Sequence, residues 1–125
     1  MKLFKQSLYL QKLNEYINTF TTCYYEKAST NGSFPYCVLI PPSTSDLMSG
    51  DSMMFDIEVY ANEMTGVEEI EDLCDLLKNK LHNYILNSKN NFTSHINFEN
   101  SFNLRENEHD LMARRVSFSA RIFYM

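Results

Sequence analysis

Hydrophobic and polar residues alternate along one half of segment 53–86 and follow a helical period along the other. Phe55, Ile57 and Val59 fall on one side of the first half, and Asp56, Glu58 and Tyr60 fall on the other. This alternation predicts a half-buried strand. The second half predicts an amphipathic helix, because its apolar residues recur at spacings of three and four. Its apolar stripe comprises Val67, Ile70, Leu73, Cys74, Leu77, Leu81 and Tyr84 or Ile85.

Charges in this helix follow its dipole. Thr65 and Glu68 form a capping box at its start. Acidic residues fill the first turns and basic residues the last, which stabilises the partial charges of the helix ends. Helix-start electrostatics therefore explains the acids without a metal ion or a carboxylate pair. The acids are Glu68, Glu69, Glu71 and Asp72, and the basic residues are Lys78, Lys80 and His82.

The chain before this unit predicts one helix and two strands. An amphipathic helix extends from Phe4 to about Phe20, a short strand covers 21–25, and the apolar run Phe34–Ile40 suits a central strand. Pro41 begins a long irregular loop, Pro41–Ser52. Leu47 and Met48 lie in this loop, where they either fold back on the domain or touch a neighbouring subunit.

After the helix the pattern predicts a long hairpin. Asn87–Asn91 closes the helix, and Phe92–Leu104 alternates as a strand with a bulge near Asn100-Ser101. A charged turn, Arg105–Asp110, leads to a last strand that alternates up to Tyr124. The resulting order α-β-β-β-α-β-β predicts a single α+β domain over 1–125, with two helices packed on an antiparallel or mixed sheet.

Composition, hydrophobic run length and the absence of known motifs argue against several classes of function. The net charge of −5 disfavours sequence-independent binding to nucleic acid. The three cysteines have no pairing pattern and lie among apolar neighbours, which indicates buried thiols. No apolar run reaches the roughly 18 residues of a membrane span. Phosphate-binding glycine motifs, nucleophile elbows and HExxH are absent from the sequence. We therefore predict no catalytic residue, no cofactor and no metal site.

Acids and arginines on the predicted strands are the remaining candidates for a site. Asp56 and Glu58 share one strand face. They could be a catalytic carboxylate pair, part of a solvated sheet face, or one side of a subunit contact. Arg115 and Arg121 share the outer face of the last strand, whereas Arg114 falls on its apolar face. Either these arginines pair with acids across their own sheet, or they pair with Asp56 and Glu58 of a neighbouring subunit.

The order of elements resembles the tail terminators and related tail-completion and head–tail joining proteins of long-tailed bacteriophages. The resemblance covers nearly the whole chain as a pattern of elements. It includes a leading helix followed by CYYEKAS, then FPYCVLI, FDIEVYA, VEEIEDLCDLLKNKL and the closing RRVSFSARIFYM. Its most recognisable parts are Phe34-Pro35-Tyr36 and the unit from Phe55 to Leu81.

The resemblance implies a non-enzymatic structural protein of the virion tail or neck, assembled in the bacterial cytoplasm. Such a protein forms a homo-oligomeric ring, commonly a hexamer, that caps the tail tube and ends polymerisation of tube and sheath. Its implied partners are copies of itself, tube and sheath subunits, and a neck connector where a head exists. DNA would only pass through the lumen, and no membrane is involved. The alternatives are a head-completion connector of the same fold and a small ferredoxin-like regulatory binding domain.

Overall fold

The computed structural model describes residues 6–25, 35–40, 52–62, 66–104 and 111–124. The predicted N-cap Thr65, the loop residues Leu47 and Met48, and the turn 105–110 lie outside these ranges. Within them the chain forms two helices and six strands. In chain order these are α1 (Gln6–Ile17), β1 (Cys23–Tyr25), β2 (Tyr36–Ile40), β3 (Ser52–Asn62), α2 (Gly66–Leu81), β4 (Tyr84–Ser88), β5 (Phe92–Leu104) and β6 (Leu111–Tyr124).

The six strands form one mixed sheet that curls into a half-barrel. Their order is β1-β2-β3-β6-β5-β4. β1 and β2 run parallel, and every other neighbouring pair is antiparallel. α2 packs against β3, β5 and β6, and α1 packs beside β1. The predicted α+β fold, with helices on a sheet, is confirmed.

The hydrophobic core lies between the helices and one face of the sheet, which we call the core face. Phe55, Ile57 and Val59 of β3 are buried there, as their alternation predicted. Phe118 of β6 stacks on Phe55, with ring centroids 5.4 Å apart. Side chains of α2 pack on this face of the sheet, and Leu77 among them is fully buried. Removal of this apolar surface from water is the main term that stabilises the fold.

Tyr9 of α1 is a core residue that the sequence pattern did not single out. Its ring is fully buried and meets the edge of Phe92 at a centroid distance of 5.0 Å. The Tyr9 hydroxyl lies 3.0 Å from Ser94 Oγ, and Ser94 Oγ in turn donates to the carbonyl of Leu86 at 3.2 Å. Burial raises the pKa of Tyr9. This small network gives hydrogen-bond partners to the two hydroxyl groups that the core encloses here, those of Tyr9 and Ser94.

The prediction for the end of α2 was wrong, because the helix stops at Leu81 and a strand follows it. Asn83 has a φ of 62°, and its N–H donates to the Ile96 carbonyl at 2.7 Å. A left-handed residue ends a helix and redirects the chain. Tyr84 therefore belongs to the edge strand β4, where its ring stacks on Tyr16 at a centroid distance of 4.0 Å. The segment 87–91 does not close a helix, because Asn87 and Ser88 end β4 and residues 89–91 connect β4 to β5.

The predicted hairpin of β5 and β6 is present, with an irregularity close to the expected place. The register shifts between Phe98 and Asn100, so Glu99 is an extra residue on β5. Such a bulge reverses which side of the sheet the later residues face. Phe98 consequently packs against the core, whereas Phe102 pairs with Arg115 and is exposed on the opposite face.

Candidate interaction surface

The face of the sheet opposite the helices, which we call the outer face, is not covered by any described element. Both helices pack on the core face. Strand register places the outer-face residues in rows that cross from β2 to β4. They include Val38, Met54, Asp56, Glu58, Tyr60, Ile85, His95, Phe102, Arg115, Ser117, Ser119, Arg121 and Phe123.

A charged network occupies the centre of this face. Arg115 Nη2 donates to Glu58 Oε2 at 2.6 Å, and its Nε donates to the same oxygen at 3.3 Å. Tyr60 donates to the other Glu58 oxygen at 2.8 Å. Ser117 donates to Asp56 Oδ1 at 2.7 Å, and Asp56 Oδ2 lies 3.9 Å from Arg115 Nε. The Glu58 hydrogen bond raises the pKa of Arg115, because the carboxylate stabilises the charged guanidinium.

Asp56, Glu58 and Arg115, which sequence reasoning selected separately, thus meet within one chain. Glu58 and Arg115 are direct cross-strand partners, and so are Asp56 and Ser117. The sequence left open whether these groups pair across their own sheet or between subunits. In the structure they pair across their own sheet. Only 13% of the Glu58 side chain is exposed, so its charge depends on these local donors. The network gives the centre of the outer face a fixed polar pattern.

Arg114 lies apart from that network, on the core face. Its Nη2 contacts Glu71 Oε1 of α2 at 2.9 Å, and its Nε donates to the same oxygen at 3.1 Å. This contact explains an arginine on an otherwise apolar strand face, because the guanidinium reaches the exposed side of α2. Glu71, which the sequence indicated only as a helix-start acid, therefore also holds α2 against β6.

Arg121 is exposed on the outer face, away from the central network. It is the cross-strand partner of Ser52 on β3 and His95 on β5. Within the described ranges Arg121 has no ion-pair partner, since the acids of β3 lie further along the strand.

Exposed apolar side chains lie near Arg121 on the same face of the sheet, and sequence reasoning missed them. Phe123 is 52% exposed, Met54 56% and Ile85 49%. The alternation of β6 could have identified Phe123, because the residues on either side of it are buried. Ile85 could not be identified, because the helical pattern was extended through it. We call Met54, Ile85, His95, Arg121 and Phe123 the Arg121 patch.

A cation–π contact extends the central network toward β5. The guanidinium carbon of Arg115 lies 5.7 Å from the centroid of the exposed Phe102 ring. A cation over an aromatic face is attracted by the ring quadrupole. Phe102 therefore continues the Arg115 network as an aromatic surface at the β5 side of the outer face.

Metal-binding chemistry finds little support in the described ranges. They contain no group of three His, Cys, Asp or Glu side chains arranged for a metal ion. Cys23, Cys37 and Cys74 are free and buried, as predicted. A hydrogen bond with Cys23 and burial raise the pKa of Cys37, and burial raises the pKa of Cys74 to about 11. In the same ranges, no helix has the length and hydrophobicity to cross a membrane.

No family model matches the sequence, and no curated protein matches it either. Thirteen chains of solved structures do match. One of them, a protein named only by a serial number, aligns with a TM-score of 0.63 and 11% sequence identity. The alignment covers 96% of this chain and 94% of that chain. At this identity the likeness shows the fold alone.

Proposed function

We propose that this protein is a structural, non-enzymatic component of a phage tail or tail-like particle, and that it forms a ring capping the tail tube. The observation that carries the proposal is the open outer face of the sheet. That face combines a fixed charged network with exposed apolar side chains, namely Met54, Ile85, Phe102 and Phe123. Apolar side chains of this kind on a patterned polar surface favour contact with another protein.

The edges of the sheet support assembly as well. β1 and β4 each have a strand neighbour on one side only among the described elements. Proteins usually cover or pair such edges, because unpaired backbone groups invite aggregation. Copies arranged head to tail around a closed ring would shield them, and closed symmetry is usual in homo-oligomers.

In this role the ring ends polymerisation of tube and sheath and offers the opposite surface to a neck connector. We propose that its partners are copies of itself, tube and sheath subunits, and the connector where a head exists. DNA passes through the lumen without a specific contact. The chain would act in the virion tail or neck after assembly in the bacterial cytoplasm.

Sedimentation velocity and electron microscopy test the proposal on the purified protein, alone and mixed with tail tubes from the same particle. We expect ring-shaped oligomers, and tubes that carry density at one end and stop elongating. A protein that stays monomeric at all concentrations and leaves the tubes uncapped would overturn the proposal. That result would favour the monomeric regulatory binding domain.

A further inference from the structure

The exposed side of α2 carries a row of acids on the opposite side of the molecule from the Arg121 patch. Glu68, Asp72 and Asp75 follow one another at spacings of four and three, so they share one side of the helix. All three are exposed, whereas Ile70 and Leu77 face the core. We call these three acids the acidic stripe.

Neither the acidic stripe nor the Arg121 patch has its charge neutralised by a close partner in the described part of the chain. Within the stripe, only Asp75 has a cation nearby, Lys78 Nζ at 4.0 Å. That distance is at the limit of an ion pair, and such exposed pairs contribute little. In the patch, the exposed guanidinium of Arg121 lies among apolar side chains that are about half exposed. The two surfaces have opposite charge.

One copy of the chain cannot bring these surfaces together. The stripe faces away from the sheet on the helix side, and the patch lies on the other face of the same sheet. A contact between them must therefore join two copies, with a different surface contributed by each. Such a head-to-tail contact repeats around a ring when the rotation between copies closes.

We propose that the acidic stripe of one copy docks on the Arg121 patch of the next copy. The occupant of the patch is thus a second copy of this chain. Arg121 pairs with Asp72 or Glu68, and Val67, which is also exposed at the start of α2, packs near the apolar rim of the patch. Charge sets the register of the contact, and apolar burial adds affinity. This contact rests on the proposed ring and names its subunit interface.

Charge reversal tests the contact. Arg121→Glu and Asp72→Arg each place like charges opposite one another, so we expect self-association to weaken by about tenfold or more. The double variant restores opposite charges and should recover most of the lost association. Glu15→Arg, at an exposed acid on α1, is the matched control and should leave association unchanged. Sedimentation equilibrium over a range of protein concentrations measures all four.

Crosslinking gives an independent readout of which surfaces meet. Cysteines introduced as Asp72→Cys and Arg121→Cys in one chain should form a ladder of covalent oligomers with a short bismaleimide. Gln11→Cys combined with Arg121→Cys is the control. Gln11 is exposed on α1, so its cysteine can react, but it lies outside both proposed surfaces and should give no ladder. The three native thiols are buried and do not compete.

The results separate this contact from the proposed function. If oligomers cap tubes but neither charge reversal weakens association and the cysteine pair gives no ladder, the proposed contact is overturned and the ring remains. A wild-type chain that never self-associates and never caps tubes would overturn both. Rescue by the double variant together with the specific ladder would establish the interface.

Discussion

Charged residues of the central network are held by neighbours in the same chain. Glu58 accepts hydrogen bonds from both Arg115 and Tyr60. The Glu58 side chain is mostly buried, at 13% exposed, and the Arg115 side chain is partly buried, at 34% exposed. Removal of one partner from such a pair destabilises the protein more than removal of one partner from an exposed pair, because the other charge is left without compensation.

The substitution Glu58→Gln tests this pair. It keeps the size of the side chain and removes its charge, so we expect the free energy of unfolding to fall by about 1 kcal/mol or more. Urea denaturation followed by circular dichroism measures the change. The control is Glu15→Gln, because Glu15 forms an exposed pair with Lys12 at 3.6 Å. That variant should stay within about 0.5 kcal/mol of wild type, and equal effects of the two substitutions would contradict the argument.

At the scale of the element, two asparagines decide where α2 ends and how the chain turns from β4 to β5. Asn83 and Asn90 have φ values of 62° and 67°, a conformation that costs most other residues energy. In the turn after β4, the Asn91 N–H donates to the Ser88 carbonyl at 2.9 Å. Ser88 and Phe92 are cross-strand partners, so the loop between them has three residues. Three-residue hairpin loops commonly have one residue in this conformation.

Substitutions at Asn90 should follow this geometry. Asn90→Gly should leave the free energy of unfolding nearly unchanged, because glycine adopts positive φ without a steric cost. Asn90→Val should lower it by about 1–2 kcal/mol, because its Cβ branches clash in this conformation. Thermal unfolding of the three proteins measures the difference. A valine variant as stable as the glycine variant would contradict the assigned turn.

At the scale of the whole molecule, the three cysteines report on the integrity of the core. Cys23 and Cys37 are cross-strand partners on β1 and β2, and Cys74 lies on the core side of α2. All three are buried. Since a thiol reacts as its thiolate and a reagent must reach it, burial makes these groups inert in the folded state, and the raised pKa values of Cys37 and Cys74 lower their reactivity further.

Alkylation with iodoacetamide at pH 8 tests that expectation. We expect the folded protein to react at least about 100-fold more slowly than the protein unfolded in urea. Mass spectrometry counts the modified thiols. Rapid labelling of one cysteine in the native protein would show that its part of the core opens locally.

The pH dependence of stability has a defined sign for Cys74. Because burial raises its pKa from the ordinary 9.0 to about 11, the unfolded chain loses this proton first as pH increases. The free energy of unfolding should therefore fall between about pH 9 and 11. Cys74→Ala should reduce the fall, which denaturation at several pH values measures.

The sequence by itself determined the α+β class and the buried side of the central strands. The two-residue alternation of β3 and β6 and the three-to-four spacing of α2 are local patterns, and each one specifies which side chains leave water. The apolar neighbours of Cys23, Cys37 and Cys74 predicted that these cysteines are buried. The strand alternation also placed Asp56, Glu58, Arg115 and Arg121 on polar faces.

Only the tertiary structure decided where these faces meet and which of their charges are satisfied. Strand order brought Glu58 beside Arg115 and placed Arg121 away from the acids of β3 that the structure describes, and both outcomes depend on pairing between distant segments. β4 could not be separated from α2 by periodicity, because a left-handed Asn83 and a hydrogen bond to Ile96 end the helix there. The bulge at Glu99 likewise turned Phe102 outward. Contacts between residues far apart in the chain therefore determined the surface that we propose for assembly.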